Sequence, residues 1–254
     1  MPCLICGTSK TVDAHLIPRS FAGEVAAAKG EQHLILHRQK DSFTVSNTGV
    51  YDRGILCGPC DSILGAHESY AFKLLKELRM VEASQGTMMS FGPVDGDTMV
   101  RFAAGIAWKY ANTTPERGRI GIGPYKDRLA QVAFEKKPIP DAFDVSIWRL
   151  WELDGDVYFY RTPMPDRKQQ VNMVRFTVGG CVIFLKIDRR PNGPLLPPDC
   201  WLRGRTEGRF VIADAQQFEE GRIHKELATG TAARDFFGNM LIRRFEKSVK
   251  ETRD

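Results

Sequence analysis

Four of the six cysteines stand in two Cys-x2-Cys pairs, Cys3/Cys6 and Cys57/Cys60, with 50 residues between them. Each pair can present two thiolates from a tight knuckle, and two knuckles together make the tetrahedral sulfur shell that zinc prefers. A dithiol redox motif needs only one pair beside a βαβ unit, so the doubled pattern points to metal. Four thiolates leave no open coordination position, which makes Zn²⁺ on Cys3, Cys6, Cys57 and Cys60 a structural ion that contributes to folding. Between the knuckles lies one imidazole, His15, in Val12-Asp13-Ala14-His15-Leu16-Ile17-Pro18, and Asp61 follows Cys60 directly. A histidine can be a base near neutral pH or simply a hydrogen-bonded residue of a zinc module. Asp61 can offer a hard oxygen to a divalent cation or cap the first turn of a helix. Cys181 reads as strand packing.

The elements that would hold these groups follow from periodicity. The chain has 254 residues, 43% apolar and 26% charged, enough for a full core and an ordinary globular class. A helix is expected from Asp61 to about Glu82, and Ser84 to Gly96, with Gly86, Gly92, Pro93 and Gly96, is the expected linker. Helices are expected at Asp97–Asn112, capped by Asp97 or Thr98, at Tyr125–Lys136 and at Thr231–Lys250. Runs at Phe143–Leu153, Val157–Thr162, Asn172–Val178, Cys181–Ile187 and Arg209–Ala213 read as strands. Hairpin separators at Asp154-Gly155-Asp156 and Gly179-Gly180 predict an antiparallel sheet in part. The fold class is therefore α+β, a small N-terminal zinc-stapled module over 1–90 and a mixed helix and antiparallel-sheet domain over 97–254.

Charge is unevenly placed. Residues 1–90 hold nine basic and nine acidic side chains, whereas the stretch Arg161 to Arg205 holds nine basic against three acidic. Such a stretch is either a solvated sheet edge or a phosphate-binding face. Trp148 and Trp151 flank Arg149 in a β-rich run and read as packing or as base-stacking groups. No segment offers 18 consecutive apolar residues, so no membrane span is expected. The first residues lack a basic n-region and an apolar h-region, so the expected location is cytoplasmic.

The order Cys-x2-Cys, His15-Leu16-Ile17-Pro18, Asp52, then Asp61 immediately after the second Cys-x2-Cys, resembles the HNH endonuclease family (ββα-metal, His-Me finger) over about residues 3–70. The resemblance implies a ββα-metal module in which His15 deprotonates water, Asp61 binds a divalent metal such as Mg²⁺ and Asp52 braces the loop. It implies hydrolysis of phosphodiester bonds in nucleic acid, DNA first, with residues 97–254 supplying substrate or protein-partner contacts. Ala14 stands where the family usually has a metal ligand, Asp52 where it favours Asn, and Asp61 where it favours His or Asn. Asp13 and Glu68 are the acidic residues available as substitutes. The alternative is a module that has kept its zinc fold but lost cleavage and binds nucleic acid or protein.

Overall fold

The computed structural model describes residues 2–25, 33–36, 43–46, 48–151, 161–193, 196–219, 221–222 and 235. The expected hairpin at Asp154-Gly155-Asp156, most of the strand Val157–Thr162 and all of the helix Thr231–Lys250 but Asp235 lie outside the described residues. By its contacts the chain falls into two compact units, Met1–Asp214 and Ala215–Asp254. In the second unit a short 3-10 turn, Ala215–Gln217, is closed by the Phe218 amide donating to the Ala215 carbonyl at 3.2 Å.

The first unit opens with β1 (Ala14–His15), α1 (Arg19–Val25), β2 (His33–Leu36), β3 (Phe43–Ser46) and β4 (Tyr51–Asp52). β1 and β4 pair antiparallel, Ala14 opposite Asp52 and His15 opposite Tyr51, and the chain then enters the long helix α2 (Gly58–Met80). This is a strand, strand, helix unit with a cysteine knuckle at each of its entrances. α2 starts earlier than the periodicity of its apolar face suggests, because Pro59 is tolerated in a first turn, where its missing N–H would be unpaired anyway.

Next come β5 (Met88–Phe91), α3 (Gly96–Asn112) and α4 (Lys126–Phe134), then β6 (Phe143–Trp151), β7 (Arg161–Lys168), β8 (Val171–Val178), β9 (Cys181–Ile187) and β10 (Gly208–Asp214). α3 is capped by Asp95 instead of Asp97 or Thr98, its carboxylate accepting from the Thr98 amide at 2.9 Å and the Thr98 hydroxyl at 2.6 Å. Asp97 is turned to the Gly204 amide instead, at 2.7 Å.

An eight-stranded sheet runs in the order β3-β2-β7-β8-β9-β6-β10-β5, antiparallel except at β2–β7 and β10–β6, so the fold is α+β with one mixed sheet and one small antiparallel ribbon. The Gly179-Gly180 turn joins β8 to β9 with both glycines at positive φ, the backbone a two-residue hairpin requires. β7 carries Pro163 and Pro165, which a central strand rejects; among the described residues its pairing with β2 is Arg161 opposite Leu36. The segment Ser84 to Gly96, expected as a linker, carries β5, which pairs with β10 from Met88 to Phe91. It lies within the first unit as a sheet edge.

The two faces of the sheet differ. Val145, Ile147, Val174, Phe176, Ile183 and Leu185 point to one face and pack on α3 in the main core. Phe176 meets Phe102 of α3 at 6.3 Å between ring centres, and Phe102 meets Phe21 of α1 at 5.9 Å. Each such fully buried ring contributes about 1.5–3 kcal/mol. α3 is buried on nearly every side because the sheet lies against one flank and α2 and α4 against the others.

Two buried guanidinium groups tie the end of α2 to the sheet. Arg149 of β6 donates to the Leu78 carbonyl at 3.2 Å and to the Val81 carbonyl, satisfying groups that a helix C-terminus leaves open. Arg79 donates to the Gly179 carbonyl and to Glu24, both at 2.6 Å. Arg149 thus serves a helix end.

Packing at the start of α3 makes one glycine indispensable. A β-carbon on Gly96 would lie 1.7 Å from the Leu202 carbonyl oxygen, whereas one on Gly65, inside α2, would meet nothing within 4 Å. Denaturant titration should therefore show Gly96→Ala destabilised by about 2 kcal/mol or more, and Gly65→Ala stabilised by about 0.5–1 kcal/mol. Equal effects of the two changes would contradict this packing.

Candidate active site and metal centre

The first knuckle is a turn closed by backbone bonds, the Cys3 amide to the Thr8 carbonyl at 2.7 Å and the Gly7 amide to the Cys3 carbonyl at 2.9 Å. The second is the start of α2, with Cys57 at the cap position and Cys60 in the first turn. Two main-chain bonds, Leu4 to Ile55 at 3.0 Å and Val12 to Leu56 at 2.9 Å, hold the knuckles together. As a result the four sulfur atoms of Cys3, Cys6, Cys57 and Cys60 lie within 4.8 Å of one another, a cluster that could hold a metal ion. Cys6 Sγ lies 3.3 Å from the Thr8 hydroxyl, which pushes its thiol down to about 6. Burial holds Cys60 far above its ordinary value. A metal that binds all four must therefore displace protons. Cys181 and Cys200 lie elsewhere, both buried, and burial pushes the Cys181 thiol up to about 12, so it behaves as packing.

The paired strands divide their side chains between two sides. Ala14 and Asp52 oppose each other and are buried, while His15 and Tyr51 share the other side with ring centres 6.0 Å apart. Asp52 accepts from the Gly54 amide at 2.8 Å and from the Thr113 hydroxyl at 2.6 Å, which braces the loop into the second knuckle and joins it to the end of α3. Asp61 sits one turn into α2, past the cap position; its amide donates to the Cys57 carbonyl at 2.9 Å, and its carboxylate makes no hydrogen bond or ion pair among the described residues. Burial raises its carboxyl, and Lys109 opposes that rise.

His15 is half-buried and its Nε2 has no hydrogen-bond partner among the described residues. Burial, with help from Lys109 and Arg19, holds the imidazole below 6.5, so at pH 7 it is neutral and able to accept a proton.

The acidic residues considered as substitute ligands are engaged elsewhere. Asp13 is clasped by Arg53 in an exposed two-point pair, with Nε–Oδ1 at 2.6 Å and Nη2–Oδ2 at 3.2 Å. Glu68 binds Lys109 Nζ at 2.7 Å, and the same ammonium donates to the His15 carbonyl at 2.5 Å. Lys109 is only 1% exposed, and its charge is felt at both His15 and Asp61. Sequence reading missed this residue because it lies in an apolar helical run, Ile106-Ala107-Trp108-Lys109-Tyr110-Ala111. The signal was there, since a lone lysine in such a run is almost never buried without a partner.

Removing one member of a buried pair strands the other charge, whereas an exposed pair contributes little. Lys109→Met should therefore lower unfolding free energy by about 3–5 kcal/mol in denaturant titration, and Arg53→Ala by about 1 kcal/mol or less. A Lys109→Met protein as stable as wild type would contradict the clamp.

Comparison of this chain with protein-family models, with curated proteins and with solved structures finds no match.

Proposed function

We propose that the N-terminal module is an HNH-like endonuclease site that hydrolyses phosphodiester bonds of nucleic acid, with DNA the expected substrate, His15 as general base and Asp61 as ligand to a divalent cation. One observation carries this reading. Around the strand, strand, helix unit Asp13, Asp52, Glu68 and Lys109 are each committed to a partner, while His15 Nε2 and the Asp61 carboxylate are not, among the described residues. An uncommitted imidazole on β1 and an uncommitted carboxylate one turn into α2, both under the influence of Lys109, supply the base and the hard oxygen that a hydrolytic site needs.

The four-cysteine cluster suits zinc. Zinc–sulfur bonds of about 2.3 Å in a tetrahedron set sulfur atoms about 3.8 Å apart, and Cys6 and Cys57 are already 3.5 Å apart. Zinc filled by four thiolates has no free position, so its role is to fix residue 3 to residue 60 and thereby hold β1 against α2. A reducing cytoplasm keeps such thiols available.

In the hydrolytic step neutral His15 takes a proton from water as the oxygen attacks phosphorus. The bond from phosphorus to the leaving oxygen breaks, and that oxygen gains a proton from solvent. Asp61 would hold a hard cation such as Mg²⁺, which would supply positive charge at the scissile phosphate. Asp52 keeps the loop between strand and helix in place.

Ala14 favours a second reading. It is 0% exposed and offers no ligand atom, and a module lacking that ligand would bind nucleic acid or a protein partner without cutting. Plasmid nicking with metal-analysed protein separates the two. The nuclease reading expects one zinc per chain and nicking that requires added divalent cation, with His15→Ala losing about 10²-fold or more while keeping its zinc. Zinc without nicking in Mg²⁺, Mn²⁺ or Ni²⁺, or full activity in His15→Ala, would overturn it.

A further inference from the structure

One edge of the eight-stranded sheet is open. Among the described residues β5 pairs with β10 on one side only, from Met88 opposite Val211 to Phe91 opposite Gly208. The Ile212 amide donates to the Thr87 carbonyl at 2.9 Å, so the backbone of Thr87 faces β10 and, by the alternation of an antiparallel ladder, so do those of Met89 and Phe91. The amides and carbonyls of Met88 and Ser90 therefore point outward, where they have no partner among the described residues. Both residues are exposed, Met88 to 45%. β5 also holds none of the charged residues or prolines that commonly blunt such an edge.

A groove lies beside this edge. Met89 and Phe91 turn to the core face of the sheet, with Phe91 6.1 Å from Phe210 between ring centres. Tyr70, Lys73, Leu74 and Glu77 of α2, with Phe91 and Pro93, line a groove of about 240 Å³. Tyr70 is fixed as one wall, because its hydroxyl accepts from the Asp95 amide at 2.5 Å. A cavity of roughly 150 Å³ holds a benzene ring, so the groove has room for one large apolar side chain. Its two charges balance, with Lys73 Nζ 3.9 Å from Glu77 Oε1, and leave no net sign to draw an ion.

We infer that this edge and groove take an extended, uncharged peptide segment of a protein partner. The segment lies along β5 as a further strand, bonded to the outward amides and carbonyls of Met88 and Ser90. Every second side chain of it turns to the α2 side, where one aromatic or long aliphatic residue enters the groove. The unpaired main-chain groups select a strand over a helix or a small molecule, because a strand repeats donor and acceptor at the spacing of the ladder. None of these residues acts on His15 or Asp61, so the surface is independent of the nuclease reading.

Selection of phage-displayed random dodecapeptides on the full chain, followed by fluorescence anisotropy of the enriched peptides, tests it. Enriched peptides should carry apolar residues at alternate positions and lose about fivefold or more in affinity on Ser90→Pro and on Lys73→Trp. Ser90→Pro removes an outward amide that the ladder to β10 does not use, and a sheet edge tolerates proline there. Lys73→Trp fills the groove from an exposed helix position and leaves the strand backbone alone. Thermal melting checks both variants, and Lys73→Trp decides if the proline unfolds the sheet. No enrichment, or equal binding to wild type and the folded variants, would overturn the inference. So would self-association of the wild type in sedimentation velocity that is lost in Ser90→Pro, because the edge would then serve a second copy of this chain.

Discussion

The buried ammonium of Lys109 is the constraint on which the rest of the N-terminal structure depends. Taking a lysine out of water costs several kcal/mol unless it is charge-paired and hydrogen-bonded, and here the partners come from two different elements, Glu68 of α2 and the carbonyl of His15 in β1. The charge therefore fixes strand, long helix and central helix as one set. It also fixes the electrostatics, because it helps keep His15 neutral and counters the effect of burial on Asp61. Glu68 is drawn into this pair, while the Asp61 carboxylate stays uncommitted among the described residues.

Charge plays the same part at the far end of α2. Arg79 and Arg149 close the helix terminus onto the sheet through carbonyl groups of residues distant in sequence. One face of that sheet then closes the main core over α3, while the other keeps a smaller aromatic cluster beside exposed cations. The two faces thus differ, one packed on α3 and the other carrying a small apolar cavity.

Local signals made the scaffold legible in the sequence. The cysteine spacing places two knuckles together, apolar periodicity finds α2, α3 and α4, and Gly179-Gly180 finds a hairpin. Long-range pairing was not legible. β2, β3 and β5 are four-residue strands with no alternation strong enough to mark them, and β5 exists because β10 supplies its hydrogen bonds. Boundaries moved where a cap decided them, as at Asp95. His15 and Asp61 were legible as residue types, but their uncommitted state was not. It depends on Lys109 and Arg53 engaging Glu68 and Asp13 from 41 and 40 residues away.

The proposed role of Asp61, to hold the cation at which His15-activated water would cleave a phosphodiester, is the one to test first. The most direct measurement is the cleavage rate of a labelled DNA duplex across a Mg²⁺ titration, in wild type and in Asp61→Asn. The account predicts saturable, Mg²⁺-dependent cleavage whose midpoint moves to about tenfold higher Mg²⁺, or beyond reach, when the carboxylate becomes an amide. An unchanged midpoint in Asp61→Asn, or no cleavage by the zinc-loaded wild type at any Mg²⁺ concentration, would contradict it.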